Sequence, residues 1–313
     1  MQKKKNKMSL LTVGTVAFDT IETAFGKVDR VVGGAAMYIG LAASKFTTPI
    51  NLVSVVGGDF PEKELKYMES LGINLDGLQI KKNEKSFFWA GKYHDDMNGR
   101  DTLVTDLNVL ADFDPILPEA HKKPDYVMLG NLTPDVQMRV LDQLKKKPKL
   151  VAMDTMNFWM DVAWDSLLKT IQKVDLLLIN DEEARQLSGE HSLLKAAKAI
   201  LKMGPKILVI KKGEHGALLF QDKSVFFAPA LPLEKVMDPT GAGDTFAGGM
   251  MGYLAMKDRL TKDNFKKAII VGSAMASFCV EKFSNERMKE LTTDMVKLRI
   301  KEFEKLVKFG APL

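Results

Sequence analysis

The sequence predicts an α/β protein: a mostly parallel central sheet with helices between its strands, and a small β lid beside it. Short apolar, β-branched runs alternate with helical patterns at βαβ spacing, which is how a buried parallel sheet reads. Between Leu78 and Val104 this gives way to strand-like alternation with the aromatic cluster Phe87-Phe88-Trp89 and Tyr93. No Pro-, Gly- or Ser-rich linker divides the 313 residues, 46% of them hydrophobic, so one large domain over residues 9–313 is expected.

Leu10 to Val16 reads as the buried first strand, ending in Gly14-Thr15, with Asp19 just beyond it. Gly33-Gly34 opens a helix of small residues through Ala43, and strands between Phe18 and Val32 complete the lid together with about 78–108. Ile50 to Val56 is a strand, followed by Gly57-Gly58-Asp59 and a helix from Pro61 to Leu71. Arg100 and Asn108, at the end of the lid, either face a ligand or belong to a solvated turn; a guanidinium suits an acceptor that carries phosphate or carboxylate. The sheet resumes at Asp125 to Leu129 and Leu150 to Met153, with a helix from Pro134 to Leu144 between them.

Leu176 to Ile179 leads into Asn180-Asp181-Glu182-Glu183, where Asn followed three residues later by Glu forms a capping box for a helix through Leu187. Ile207 to Ile210, the turn Lys211 to Gly216 and Ala217 to Phe220 read as a strand, a glycine turn and a hairpin partner. Phe265 to Val280 is an apolar helix and Met295 to Val307 an amphipathic one.

Composition excludes several classes of function. The net charge of +5 owes four units to Lys3, Lys4, Lys5 and Lys7, in a basic tail over residues 1–8 that is expected to be disordered, and the body is close to neutral. The clusters Lys145 to Lys147 and Lys211-Lys212 are short and read as solvated faces, so nucleic acid is not an expected partner. One cysteine, Cys279, excludes a disulfide framework and a Cys-based zinc site. No apolar stretch is long enough to span a membrane, and a cytoplasmic protein is expected. Neither a dinucleotide fingerprint nor a Walker-type loop is present.

Asp238-Pro239-Thr240-Gly241-Ala242-Gly243-Asp244 carries the chemistry, running into Thr245-Phe246-Ala247-Gly248-Gly249. A small-residue loop that turns into a helix lets backbone approach a ligand and points the first N–H groups of the helix at an anion. Asp244, in the first turn, is placed to accept a proton from an attacking hydroxyl, the base role in phosphoryl transfer. A capped helix after a flexible loop is the plainer reading.

The longer pattern resembles the C-terminal signature of the ribokinase-like (PfkB-type) carbohydrate kinases, and Gly33-Gly34 with its helix resembles their N-terminal one. The resemblance implies a three-layer α/β/α fold with a lid over the substrate, Asp244 as base, and an anion hole formed by the amides of Gly241, Ala242 and Gly243. It implies acceptor binding by Asp19, Gly33 and Gly34, with Tyr38 either contacting the acceptor or packing in the core. It places nucleotide at Asn180, Glu183, Lys212, Gly213, Gly216, Asp238 and Thr240, with Glu183 holding magnesium through water. ATP and Mg2+ are the implied cofactors, with a monovalent cation as a further one, and a homodimer would pair through the lid.

Three positions depart from the family pattern: Ala17 and Tyr38 stand where asparagines are usual, and Asn157 lies one residue late, which leaves it without a role. The expected reaction is transfer of the ATP γ-phosphoryl group to a primary hydroxyl of a sugar or sugar derivative, or of a nucleoside. A catalytically silent ligand sensor is a third reading, disfavoured by the intact Asp244 and anion-hole sequence.

Overall fold

The computed structural model describes residues 8–308, so the expected basic tail lies almost wholly outside it. Strands β1 (Leu10–Val13), β2 (Ala17–Thr23) and β3 (Gly26–Gly33) precede helix α1 (Ala35–Ser44); β4 (Ile50–Gly57), α2 (Glu62–Ser70) and β5 (Ile73–Lys81) follow. Then come β6 (Phe88–Tyr93), β7 (Arg100–Asp106), β8 (Tyr126–Leu129), α3 (Pro134–Asp142) and β9 (Leu150–Asp154). The next run is α4 (Asn157–Val162), α5 (Trp164–Ile171), β10 (Leu176–Asn180), α6 (Asp181–Ser188), α7 (Leu193–Leu201), β11 (Ile207–Lys211), β12 (Ala217–Gln221) and β13 (Ser224–Ala228). Four helices close the chain: α8 (Ala242–Lys257), α9 (Lys262–Cys279), α10 (Glu286–Glu290) and α11 (Thr293–Val307).

Nine strands form the large sheet in the order β13-β12-β11-β10-β9-β8-β1-β4-β5, parallel from β11 through β5 and antiparallel at β12 and β13. Leu10, Met128, Ala152, Leu178 and Val209 pack on one face with α1, α8 and α9, and Leu11, Val127, Met153, Leu177 and Leu208 on the other with α3, α5, α6 and α7. Burial on both faces is why these strands read as unbroken apolar runs. Helix α8 is buried from Thr245 to Ala255, and Gly248 and Gly252 let it lie on α1: a Cβ at Gly248 would stand 2.4 Å from the Ile39 carbonyl oxygen.

A separate four-stranded sheet has the order β3-β2-β6-β7. Residues 78–81, grouped with the lid from their alternation, belong instead to β5, which pairs with β4 at the edge of the large sheet. Asp19 is a buried strand residue of β2, within the span expected to supply lid strands, paired with Val31 and in register with Trp89. The edge strand β13 was not anticipated from the sequence.

Candidate active site

Strand parity delivers the polar residues. Leu150 and Ala152 on β9, Leu176 and Leu178 on β10, and Ile207 and Val209 on β11 face α8. The last residue of each strand, Asp154, Asn180 and Lys211, continues that alternation, so all three sit at the C-terminal edge of the sheet on the α8 side. That edge is where open parallel sheets bind ligands.

Lys211 Nζ lies 2.7 Å from Asp154 Oδ2, and both side chains are mostly buried. Sequence reasoning took Lys211 for a solvated lysine and gave Asp154 no role; the alternation with Ile207 and Val209 is the signal that would have found Lys211. Burial pulls the Lys211 ammonium down, but Asp154, Glu183 and Asp244 together hold its pKa above the usual value.

Asn180 and Glu183 form the expected capping box: Asn180 Oδ1 accepts from Glu183 N at 2.7 Å, and Asn180 N donates to Glu183 Oε2 at 2.7 Å. Burial, then the Asp154 charge, pushes the Glu183 carboxyl up to about 7, against the pull of Lys211, the Asn180 N–H and Arg100.

The loop before α8 is held from below. Asp238 is fully buried, its Oδ1 accepting from Thr240 N and its Oδ2 from Ser284 N, each at 2.8 Å. Expected at the nucleotide, Asp238 instead has both oxygens engaged by backbone. The Thr240 hydroxyl is 3.1 Å from the Tyr93 hydroxyl, which ties the small sheet to this loop.

Gly241 adopts φ +75°, and a Cβ there would stand 2.5 Å from the Tyr38 ring, so only glycine fits both demands. No side chain caps α8. The Ala242 N–H, expected in the anion hole, is turned to the Pro239 carbonyl at 3.2 Å, whereas those of Gly241, Gly243 and Asp244 have no partner among the described residues. Those three amides are therefore the ones free to receive an anion. The Asp244 carboxyl is raised to about 7 by burial and then by Asp154, opposed by Lys211 and Arg100.

On the other side of the loop, Asp19 presses on Gly33, where a Cβ would lie 2.0 Å from Oδ2. Burial, then the charges of Asp238 and Asp244, raises Asp19 to about 7. Gly34, at φ +99°, starts α1, and the amides of Ala35 and Ala36 are taken by the Thr15 hydroxyl and carbonyl at 2.9 Å each. The first two amides of this helix are thus satisfied internally, whereas in α8 only the first, that of Ala242, is.

Tyr38 is only 1% exposed, with its ring against Gly241. It is a core residue supporting the loop, and its buried hydroxyl meets no partner at hydrogen-bond geometry among the described residues. Tyr38→Phe should therefore leave stability within about 1 kcal/mol of wild type or raise it, since an unsatisfied hydroxyl is removed. Tyr38→Asn, which deletes the ring, should cost about 3 kcal/mol or more. Urea unfolding of both variants measures the difference, and equal losses would show that the ring does not carry the support.

Arg100 is exposed, with its guanidinium 5.8 Å from the Trp89 ring centroid, and its charge acts on Asp244 and Glu183. Asn108 is less available to an acceptor than expected, because its side-chain amide donates to the Ser86 carbonyl at 2.9 Å. Gly213 and Gly216 flank a single turn between β11 and β12, and the Lys212 N–H bonds the Gly216 carbonyl at 2.8 Å. His215 is exposed there. Asn157 bonds Gln186 across α4 and α6, a structural contact. Among the described residues no group of three His, Cys, Asp or Glu side chains converges to hold a metal directly.

This constellation pairs an open helix N-terminus with a carboxyl poised near neutrality in the first turn of the helix, beside a buried lysine. It suits transfer of a phosphoryl group to a hydroxyl. A profile of the pfkB family carbohydrate kinases matches residues 8–290, and the chain belongs to that family. It is a phosphotransferase with an alcohol-type acceptor.

Among curated relatives, a cytidine kinase of Thermococcus kodakarensis shares 30% identity over 251 residues, spanning 79% of this chain and 88% of that protein. Among solved structures, the nucleoside kinase of Methanocaldococcus jannaschii covers 95% of this chain and 100% of its own, at TM-score 0.74 and 22% identity. An Escherichia coli protein described as a ribokinase II, solved with ATP and Mg2+, covers 94% and 99%, at TM-score 0.78 and 16% identity. These two structures establish the ribokinase-like fold.

Proposed function

We propose that the protein transfers the γ-phosphoryl group of MgATP to the primary hydroxyl of a nucleoside. The observation that carries this reading is the register between β2 and β6, which sets Trp89 beside Asp19. Register partners in parallel strands share a face, so a carboxylate suited to ribose hydroxyls and an aromatic ring suited to a base stand on the same face of the small sheet, the ring lying over Gly91 with its Nε1–H donating to the Thr102 hydroxyl at 3.3 Å. The names of the Thermococcus and Methanocaldococcus relatives, cytidine kinase and nucleoside kinase, support the same acceptor class. A panel of nucleosides and free sugars, scored for ADP release, tests it: a nucleoside should saturate at a KM at least about tenfold below that of its free sugar. Saturation by a free sugar alone would return the acceptor to the sugars.

In this reading Asp244 takes the proton of the acceptor hydroxyl, and the amides of Gly241 and Gly243 face the charge on the transferring group. Glu183, with Oε2 engaged by the Asn180 N–H, has Oε1 left to accept from a metal-bound water, so the residues present fit a water-linked Mg2+. The ion would neutralise charge on the β- and γ-phosphates. Glu183→Gln keeps a capping side chain but loses the charge, so it should raise the Mg2+ concentration needed for half-maximal rate by about tenfold. A magnesium titration checks this, and an unchanged requirement would leave only the cap.

The small sheet acts as the lid over the acceptor, excluding water from the transfer. Its edge strand β7 is exposed along its whole length and carries Leu103 and Val104, which supports a homodimer through the lid, testable by sedimentation. Dependence on a monovalent cation is read by comparing K+ with Na+ in the same assay. Among the described residues no helix is long and apolar enough to cross a membrane, and with the single buried, unpaired Cys279 this supports a cytoplasmic location.

A further inference from the structure

Lys211 is buried at the mouth of the anion loop, and neither the helix N-terminus nor the metal accounts for it. Its Nζ lies 3.1 Å from the point a Cβ on Gly243 would occupy, immediately beside an amide that is free to receive an anion. One of its three N–H donors has a partner, Asp154 Oδ2 at 2.7 Å; none of the other ammonium hydrogens has a hydrogen-bond acceptor among the described residues. A buried ion pair is weak support for stability, because an apolar pair of similar volume serves as well or better. An ammonium with spare donors at an anion-binding helix start has a different use.

We propose that Lys211 contacts the transferring phosphoryl group as the side-chain cation of the anion hole, and that Asp154 is a positioning residue that holds it there. During transfer the bond from the γ-phosphorus to the bridging oxygen of ADP breaks, the bond to the acceptor oxygen forms, and the acceptor proton passes to Asp244. Lys211 gives up no proton and supplies charge alone. The neighbours suit this: Asp154 on β9, Glu183 on α6 and Asp244 on α8 all favour the charged ammonium. The inference rests on the phosphotransfer reading but is independent of which acceptor is used.

Three variants decide it: Lys211→Met, Asp154→Asn and the two combined. Each is measured for kcat, for the KM of whichever acceptor releases ADP, and for MgATP affinity by calorimetry, an arm that needs no acceptor. Removing one donor from an oxyanion-type site lowers kcat by about 10²–10³-fold. Lys211→Met and the double variant should both show that loss, with MgATP Kd raised about tenfold and acceptor KM nearly unchanged. Asp154→Asn keeps the ammonium and should lose less than about tenfold.

Lys211→Met alone leaves Asp154 buried and unpaired, so the double variant, neutral at both positions, keeps the test valid if the single one fails to fold. A folded double variant with wild-type kcat and MgATP affinity would overturn the proposal and leave Lys211 as the counter-charge of Asp154. A loss borne mainly by acceptor KM would overturn it as well. Failure of the phosphotransfer reading would look different, since the wild type itself would release no ADP with any acceptor.

Discussion

Asp244→Asn is expected to lower kcat by about 10²–10⁴-fold while MgATP affinity stays the same or improves. The amide keeps the shape of the side chain and can still hydrogen-bond, but it cannot take the acceptor proton. Affinity is spared because a carboxylate facing the phosphates is removed. The wild-type Asp244 carboxyl lies at about 7, so the base must lose its proton before it can act and the rate should fall below that pH. Asp154, Lys211 and Arg100 set that value between them after burial, and Asp19 faces Asp244 from β2. With Asp19 and Glu183 also near 7, the acid limb belongs to a coupled set. Steady-state kinetics with calorimetry separate the two effects, and near-normal kcat in a folded Asp244→Asn protein would remove the base assignment.

Gly241→Val should be about as damaging by a different route. A β-branched residue at φ +75° is strained by about 1–3 kcal/mol, and its Cβ would have to displace the Tyr38 ring from 2.5 Å. The loop can relieve this only by moving, which takes the free amides out of line with the phosphate. Both MgATP affinity and kcat should fall, the latter by about 10²-fold or more. Gly243→Ala is the comparison: its φ is not positive, so the backbone is not strained, and the added carbon, 3.1 Å from Lys211 Nζ, asks only that this ammonium shift by a few tenths of an ångström, so its loss should be smaller than that of Gly241→Val though not absent. Equal effects at the two positions would mean that the geometry of Gly241 is not what orders the loop.

The parallel sheet, the capping box at Asn180 and Glu183, and the loop leading into α8 could be read in sequence because each is a local pattern: apolar runs, a three-residue spacing, a cluster of small residues. Most of what escaped depends on contacts between distant segments, and the rest on local turn geometry. Lys211 looks like half of a solvated lysine pair until the parity of β11 turns it toward α8 and Asp154. Tyr38 occupies a position where a polar acceptor contact was conceivable, and only the packing of α1 beneath Gly241 shows it to be a support. The Ala242 amide is withdrawn from the anion hole by a single bond to the Pro239 carbonyl, a turn geometry that residue types do not specify. The first strand is shorter than its apolar run, because β1 stops at Val13 and Gly14 to Val16 only join it to β2, which begins at Ala17 and carries Asp19.

The most direct test of phosphoryl transfer to a hydroxyl is 31P NMR of the products formed by the wild-type protein from MgATP and the best acceptor of the panel. ADP and one new phosphomonoester on the acceptor's primary hydroxyl are expected in equal amounts, with no build-up of inorganic phosphate and with loss of that signal in Asp244→Asn. ADP accompanied by inorganic phosphate, with the acceptor unmodified, would contradict transfer to a hydroxyl.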